Sequence, residues 1–349
     1  MRELLSGDLP RSIPLAVLLV AVFLALALAP FLFPGVRSLE TAARICIFIL
    51  LVASYDLLLG YTGIVSFAHT MFFGLGAYGV ALASLHLGRG YDSVLLGSLV
   101  GALAATVLAL AIGLFSLRVR AIFFAMITLA VASAVAVLVS QMSGLTGGED
   151  GLNYKIPREL TPAFRLGELF GVRVNGRVLN YYLVFVACLV LFLILLRIVN
   201  SPFGRVLQAI RENDFRAEAI GYRVVWYRVT ATCISAVMAS LAGSLFAIWL
   251  RYVGPDTTLS FAIMLDILLM VVIGGMGTIY GAVLGATIFV LAQNYLQALM
   301  GSAAEATAAL PLIPDLLNPD RWLLWLGLLF ILSVYFFPTG IVGRLRAGR

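Results

Sequence analysis

LNYYLVFVACLVLFLILLRIV (Leu179–Val199) stays apolar for the length of a membrane crossing, with a single charge, Arg197, near its end. A helix rises about 1.5 Å per residue, so about 20 such residues cross the roughly 30 Å hydrocarbon core of a bilayer. Comparable runs recur along the chain. Taking Gly, Pro and charge as breaks gives ten candidate spans, at 13–34, 41–59, 64–87, 93–116, 121–140, 179–199, 226–249, 259–274, 279–300 and 321–337. Composition agrees. Of 349 residues, 62% are hydrophobic and 11% charged, and the mean hydropathy is +1.07. A soluble chain carries about a quarter charged residues, so lipid, not water, wets most of this exterior. The expected fold is an all-α integral membrane protein of about ten transmembrane helices in one domain over 1–349.

The first run, Ile13 to Phe33, contains Ala27 and Ala29, which resemble a signal-peptidase site. It exceeds the about 7–15 residues of a signal core and reads as an uncleaved span. The third candidate is the least regular, because Gly60, Gly63, Gly74, Gly76 and Gly79 interrupt it. Cys46, Cys188 and Cys233 fall inside apolar runs and read as small core residues, with no disulfide expected.

Arginine placement gives the orientation. Basic residues number 23 against 17 acids, and all but Lys155 are arginine. With the N-terminus inside, ten spans put 13 of them on the cytoplasmic side: Arg2, Arg11, Arg118, Arg120, Arg197, Arg205, Arg211, Arg216, Arg223, Arg228, Arg344, Arg346 and Arg349. Short outer loops hold Arg37, Arg44, Arg89, Arg251 and Arg321, and the long outer loop 141–180 holds the remaining five, Lys155 among them, which narrows the contrast. That bias follows the positive-inside rule, so both termini are expected in the cytoplasm, and the net charge of +6 needs no nucleic-acid partner.

Two loops are long. The outer one, 141–180, contains SGLTGGEDGLNYKIPRELTP (Ser143–Pro162) and is too polar for lipid. The inner one, 201–224, reads SPFGRVLQAIRENDFRAEAIGYRV. Ser201 is placed to cap a helix whose first position is Pro202, and Gly221 supplies a left-handed end. Phe203, Val206, Leu207, Ile210, Ala217 and Ile220 recur at three- and four-residue spacing, opposite charge. The expectation is an amphipathic cytoplasmic helix, or two hinged near Asn213.

Several chemistries lack their residues. Lys155 follows no glycine-rich phosphate loop, so no Walker site is present. His69 and His86 belong to no HExxH or Cys/His cluster, so no metal site is expected. Within the spans, Asp56 reads as a helix-end residue in interfacial water, and Asp266 as either a pathway residue or part of a structural pair. Two isolated carboxylates make a thin proton relay, which argues against a proton-coupled transporter working alone, and the long cytoplasmic helix argues against a passive channel.

GYTGIVSFAHTMFFGLGAYG (Gly60–Gly79), TGGEDGL (Thr146–Leu152), SPFGRVLQAIREND (Ser201–Asp214) with AIG (Ala219–Gly221), and VVIGGMGTIYGAVLGA (Val271–Ala286) occur in order. Together they resemble the permeases of branched-chain amino-acid ABC importers, the REND loop being similar to the M-type of the two paired permeases. Ala68 stands where that family often has glycine, and Asp56 where asparagine is frequent. The resemblance implies ATP-driven uptake of branched-chain or related amino acids across a bacterial inner membrane by alternating access. The implied partners are a second paralogous permease, two ATP-binding cassette subunits, a periplasmic substrate-binding protein and membrane lipid. No cofactor is expected on this chain, since ATP would be used by partner subunits. Urea and short amides remain alternative substrates, and a stand-alone secondary transporter the alternative class.

Site expectations follow. Ser66, His69, Thr70 and Tyr78 could offer donors to an amino acid, with Asp266 as a further pathway candidate, or the same glycine run could be close packing only. Gly60, Gly63, Gly74 and Gly76, with Gly274, Gly275, Gly277 and Gly281, read as structural glycines, the second group forming a tight connection or a gate. By resemblance, 201–221 is the coupling helix that docks on the ATPase subunit. Arg205, Arg211, Glu212, Asp214, Arg216 and Glu218 would set its register, Phe203, Leu207 and Ile210 would fill the groove, and Gly221 would end the segment.

Overall fold

The structure, a computed structural model, describes residues 13–32, 35–116, 121–169, 172–306, 318–336 and 340–347. It is almost wholly helical: α1 Ile13–Ala27, α2 Ala29–Leu32, α3 Val36–Asp56, α4 His69–His86, α5 Tyr91–Ser116, α6 Ala121–Gln141, α7 Ser143–Thr146, α8 Gly176–Val199, α9 Pro202–Glu212, α10 Asp214–Ala219, α11 Val224–Leu250, α12 Pro255–Thr258, α13 Phe261–Gly274, α14 Ile279–Ala306, α15 Trp322–Phe336 and α16 Gly340–Ala347. Two short antiparallel pairs lie in the connections. β1 (Leu152–Asn153) pairs with β4 (Tyr252–Val253), with Leu152 opposite Val253, and β2 (Arg165–Leu169) pairs with β3 (Val172–Asn175).

Among the described residues, seven helical segments are long and apolar enough to cross a membrane: Val36–Thr62, Tyr91–Phe115, Phe123–Gln141, Gly176–Val199, Val224–Leu250, Pro255–Gly274 and Ile279–Glu305. The expected count of ten is therefore not reached. The three runs that fall short are those at 13–34, 64–87 and 321–337, and each has a local cause or boundary. Helix α1 has 15 residues and stops before Pro30. Proline carries no N–H, so the Leu26 carbonyl loses its i+4 donor. The Tyr181 hydroxyl of α8 donates to it instead at 2.5 Å, and the Tyr182 hydroxyl donates to the Ala27 carbonyl at 3.0 Å. The run at 64–87 is helical only from His69 onward. Helix α15 also has 15 residues. Residues 33–34 and 337 of these runs lie outside the described residues, as do Arg2, Arg11, Arg118, Arg120 and Arg349.

Helices α3, α4 and α11 form the centre, and α5 closes on α4 and α11. Backbone approach makes this possible. A Cβ on Gly76 would strike the Ser240 carbonyl of α11, and one on Gly243 of α11 would strike the Phe73 carbonyl of α4. The Ser244 hydroxyl fills the seam by donating to the Gly76 carbonyl at 3.2 Å. Small residues bringing helices together, with a hydroxyl bonding across, is the packing expected where lipid gives no hydrophobic drive.

The connections sort to two ends. The segments around 57–63, α9–α10, 275–278 and Gly340 gather at one end, where Arg211 bonds Gly60, Gly277 bonds Asp56, and Gly340 abuts Gly275. Arg89, Lys155, Arg158 and Arg251 line one depression at the other end, and the β1–β4 pair ties the outer loop to the end of α11. There, the Tyr154 hydroxyl donates to the Ala247 carbonyl at 2.6 Å and Asn180 Nδ2 donates to the Ile248 carbonyl at 3.2 Å, completing α11. Among the described residues, the 201–224 arm and the long 141–180 loop, which charge assigned to opposite sides, lie at opposite ends.

Candidate functional site

Three arrangements carry the chemistry, and each is built by a break in a helix. The first lies inside the bundle. Helix α3 continues as a π-helical turn, Leu57–Thr62, and ends at Gly63 with φ 71°. Residues 63–68 return without helix, and α4 starts at His69, which is fully buried. The Ser235 hydroxyl donates to the Ser54 carbonyl at 2.5 Å, so its oxygen accepts from His69 Nε2 at 2.9 Å. That fixes the tautomer with the proton on Nε2. Nδ1 has no partner among the described residues, and Tyr55 packs edge-on at 4.8 Å between ring centroids. The Ser66 hydroxyl accepts from the Ala68 amide at 3.3 Å, and the Phe67 amide donates to Thr128 Oγ1 at 3.0 Å.

The sequence-selected donors therefore separate. His69 and Ser66 are engaged within the bundle. Tyr78 is buried further along α4, its hydroxyl without a partner among the described residues. Asp266 sits on α13, partly buried beside Gln293 of α14. Thr70 alone of the five borders a cavity of about 510 Å³, with Phe67, Ser133, Glu149, Asp256 and Ser260.

The second arrangement joins the glycine-rich breaks. Asp56, one turn before Gly60, is 1% exposed, and its Oδ1 accepts from the Gly277 amide at 2.9 Å. It does end α3, as expected, but it is not in interfacial water, because the 274–281 turn folds over it. Arg211 of α9 reaches the same spot and donates from Nη1 to the Gly60 carbonyl. Gly60 has no room for a Cβ, which would meet the Asp56 carboxylate and the Gly277 amide, and Gly277 adopts φ 82°. Gly274 and Gly281 pack backbone to backbone, while Gly275 turns the chain at φ 112°. Gly74 lies under Leu259.

The third is the surface of α9–α10. The segment breaks at Asn213, whose Oδ1 accepts from the Arg216 amide at 2.9 Å, and Gly221 takes φ 98°. Ser201 does not cap α9. Its hydroxyl donates backward to the Ile198 carbonyl at 2.6 Å. Leu207 and Ile210 are 0% and 1% exposed, Ile210 packing with Ala217 and Val224, and Phe203 stacks on Tyr227. Phe215 and Ile220 are the outward apolar residues, at 80% and 69%. Asp214 pairs with Arg228 of α11 at 3.6 Å, while Arg205, Glu212, Arg216 and Glu218 are exposed.

Sequence reasoning passed over Ser235, Thr128, Glu149, Asp256, Phe215 and Arg228. Only the fourth-residue spacing of Asp56 before Gly60 held a usable signal for the second arrangement.

A multi-pass helical membrane protein with a broken central helix and an amphipathic arm at one end is the class these features define. The chain belongs to the family of permease components of branched-chain amino acid transport systems, whose family model matches residues 37–334. It is 30% identical over 276 residues to the high-affinity branched-chain amino acid transport system permease protein LivM of Salmonella typhimurium, covering 74% of this chain and 64% of that protein. Similar relatives are LivM of Escherichia coli K12, 29% identical over 80% of this chain and 68% of that protein, and BraD of Pseudomonas aeruginosa, 26% identical over 84% and 91%. The chain thus spans just under two thirds of the Salmonella relative. No solved structure matches the chain.

Proposed function

We propose that this chain is the membrane-spanning permease subunit of an ATP-driven ABC importer for branched-chain or related amino acids in a bacterial inner membrane. Family membership and the relatives' transport systems support this. The observation that carries it is the contact of Arg211 on the amphipathic arm with Gly60, beside the Asp56–Gly277 bond. An arm that only lay on the membrane surface would need no arginine bonded to the backbone at the end of a membrane-spanning segment, as the otherwise exposed Arg211 is. Here the arm is tied to the end of α3 and to the α13–α14 turn at once.

The chain crosses ten times, α1, α4 with its 63–68 lead, and α15 adding to the seven long segments, with both termini in the cytoplasm. It performs no bond chemistry. It pairs with a second permease, two ATP-binding cassette subunits and a periplasmic binding protein. Closure of the ATPase dimer moves α9–α10, and the Arg211 tie passes that movement to the helices around His69. Phe215 and Ile220 fill the ATPase groove, and Arg205, Glu212, Arg216 and Glu218 set register. Leu207 and Ile210 anchor the arm to the permease.

Purification of the tagged chain from its native membrane, with mass spectrometry of what copurifies, tests the assignment. A second permease and ATPase subunits are expected. Recovery of this chain alone, still transporting after reconstitution without ATP, would overturn it. Charge reversal at Arg211 and Asp214 is expected to uncouple or disassemble the complex, and intact assembly and transport would remove α9–α10 as the coupling element.

A further inference from the structure

The cavity bordered by Thr70 has a chemical layout that packing does not require. Its volume is about 510 Å³, within the range of small-molecule sites. Its walls come from four separate stretches: the lead into α4, the outer half of α6, the loop at Glu149, and the α12–α13 junction. A lipid-facing hollow would be lined by hydrocarbon. This one carries the hydroxyls of Thr70, Ser133, Ser140 and Ser260 and the carboxylates of Glu149 and Asp256.

The lining holds groups of both signs. One wall is the N-terminus of α4, an 18-residue helix whose cap residue, Ala68, offers no side-chain acceptor. First-turn amides have no intrahelical partner and carry the positive end of the helix dipole. Thr70, in that turn, is 2% exposed, borders the cavity, and among the described residues has no hydrogen-bond partner for its hydroxyl. Its hydroxyl is therefore free to donate to, or accept from, whatever occupies the cavity. The carboxylates, both exposed, come from the loop after α6 (Glu149) and the first turn of α12 (Asp256). The apolar part of the lining is Leu129, Ala132, Ala136, Val137, Leu259 and Phe261. Donors, an apolar wall and acceptors in one hollow match a zwitterion with an aliphatic side chain.

We infer that this cavity is a substrate station on the outer side of the pathway, in which the Thr70 hydroxyl and the α4 amides hold the carboxylate of an α-amino acid while Glu149 and Asp256 attract its ammonium. The inference rests on the importer assignment above. It gives the permease a selectivity for doubly charged ligands that acts after delivery by the binding protein. His69, held by Ser235, does not touch the ligand. It pins the start of α4.

The test uses the complete complex in proteoliposomes, measuring ATP-driven L-leucine uptake and binding-protein-stimulated ATP hydrolysis in parallel. Thr70→Val and the pair Glu149→Gln with Asp256→Asn are expected to lower uptake about ten- to a hundredfold, the range for losing hydrogen bonds to charged groups. Hydrolysis and subunit stoichiometry should stay at the unsubstituted level, and Thr70→Ser should restore uptake. Unchanged uptake in Thr70→Val and in the acid pair would overturn the proposal. Parallel loss of uptake and hydrolysis, not rescued by Thr70→Ser, would also overturn it, since a packing defect gives that pattern. Failure of the unsubstituted complex to take up leucine with ATP would instead remove the importer assignment.

Discussion

At Gly60, a missing methyl group decides whether three segments can meet. The Asp56 carboxylate, the Gly277 amide and the Arg211 guanidinium all occupy the space around its backbone. Gly60→Ala is therefore expected to push the 274–281 turn away, at an overpacking cost of about 1–3 kcal/mol. Thermal unfolding of the detergent-solubilised chain should show a Tm lower by several degrees, and an unchanged Tm would mean the turn does not sit on Gly60. Asp56→Asn keeps an acceptor for Gly277 and removes only the charge facing Arg211. It should accumulate in the membrane normally yet transport less, whereas Asp56→Leu should fail to accumulate. Much of this was illegible beforehand. The glycines and Arg211 stand out in the sequence, but Gly60 and Arg211 are 151 positions apart, and nothing in local pattern says that an exposed arginine on an amphipathic arm reaches the end of α3. Asp56 misled for the same reason, because its apparent position at a helix end ignored the turn that folds over it.

Elements were legible where periodicity or length alone specifies them. The arm at 201–221, its break at Asn213 and its end at Gly221 follow from Pro, Asn and Gly placement. Its faces did not follow. Leu207 and Ile210 have the spacing of a docking stripe, yet they face the permease: Leu207 joins the main core, and α11 offers Val224 and Tyr227 beside Ile210. Helical spacing tells which residues share a side, not what that side meets. The third apolar run divides for a reason hydropathy does not measure. Gly63 turns the chain at φ 71°, and Ser66 and Thr128 then satisfy the amides that helix would have paired. For α1 the test is Tyr181→Phe. Loss of its bond to the Leu26 carbonyl should cost about 0.5–1.5 kcal/mol, measurable as a lower unfolding midpoint in mild detergent. Tyr182→Phe should cost less, because its bond is longer and less buried.

For the whole molecule, the arrangement of loops at two ends makes a prediction about sidedness. Single cysteines at 213 and 276 should share one accessibility to an impermeant thiol reagent, and cysteines at 150 and 256 the opposite one. The native Cys46 and Cys188 are buried and Cys233 partly so, which keeps the background low. If 276 labelled together with 150, the count of crossings between them would be wrong by one. Fold class was readable from composition, since a chain with 11% charge has no other way to meet its surroundings. The number of crossings was less so, because a proline, a glycine break or a short final helix each leave the apolar content unchanged while shortening the regular structure.

Tyr181 stands in for the amide that Pro30 lacks, Tyr182 bonds the next carbonyl, and the pair has a consequence for synthesis. The carbonyls of Leu26 and Ala27 wait for donors that leave the ribosome 155 residues later. Until α8 arrives, the far end of α1 holds acceptors that hydrocarbon cannot satisfy. The first segment therefore stays near the headgroups or against the insertion machinery while α3 to α6 are delivered. Nascent chains stalled before Tyr181 should be crosslinked through α1 to that machinery, and chains stalled after α8 should not.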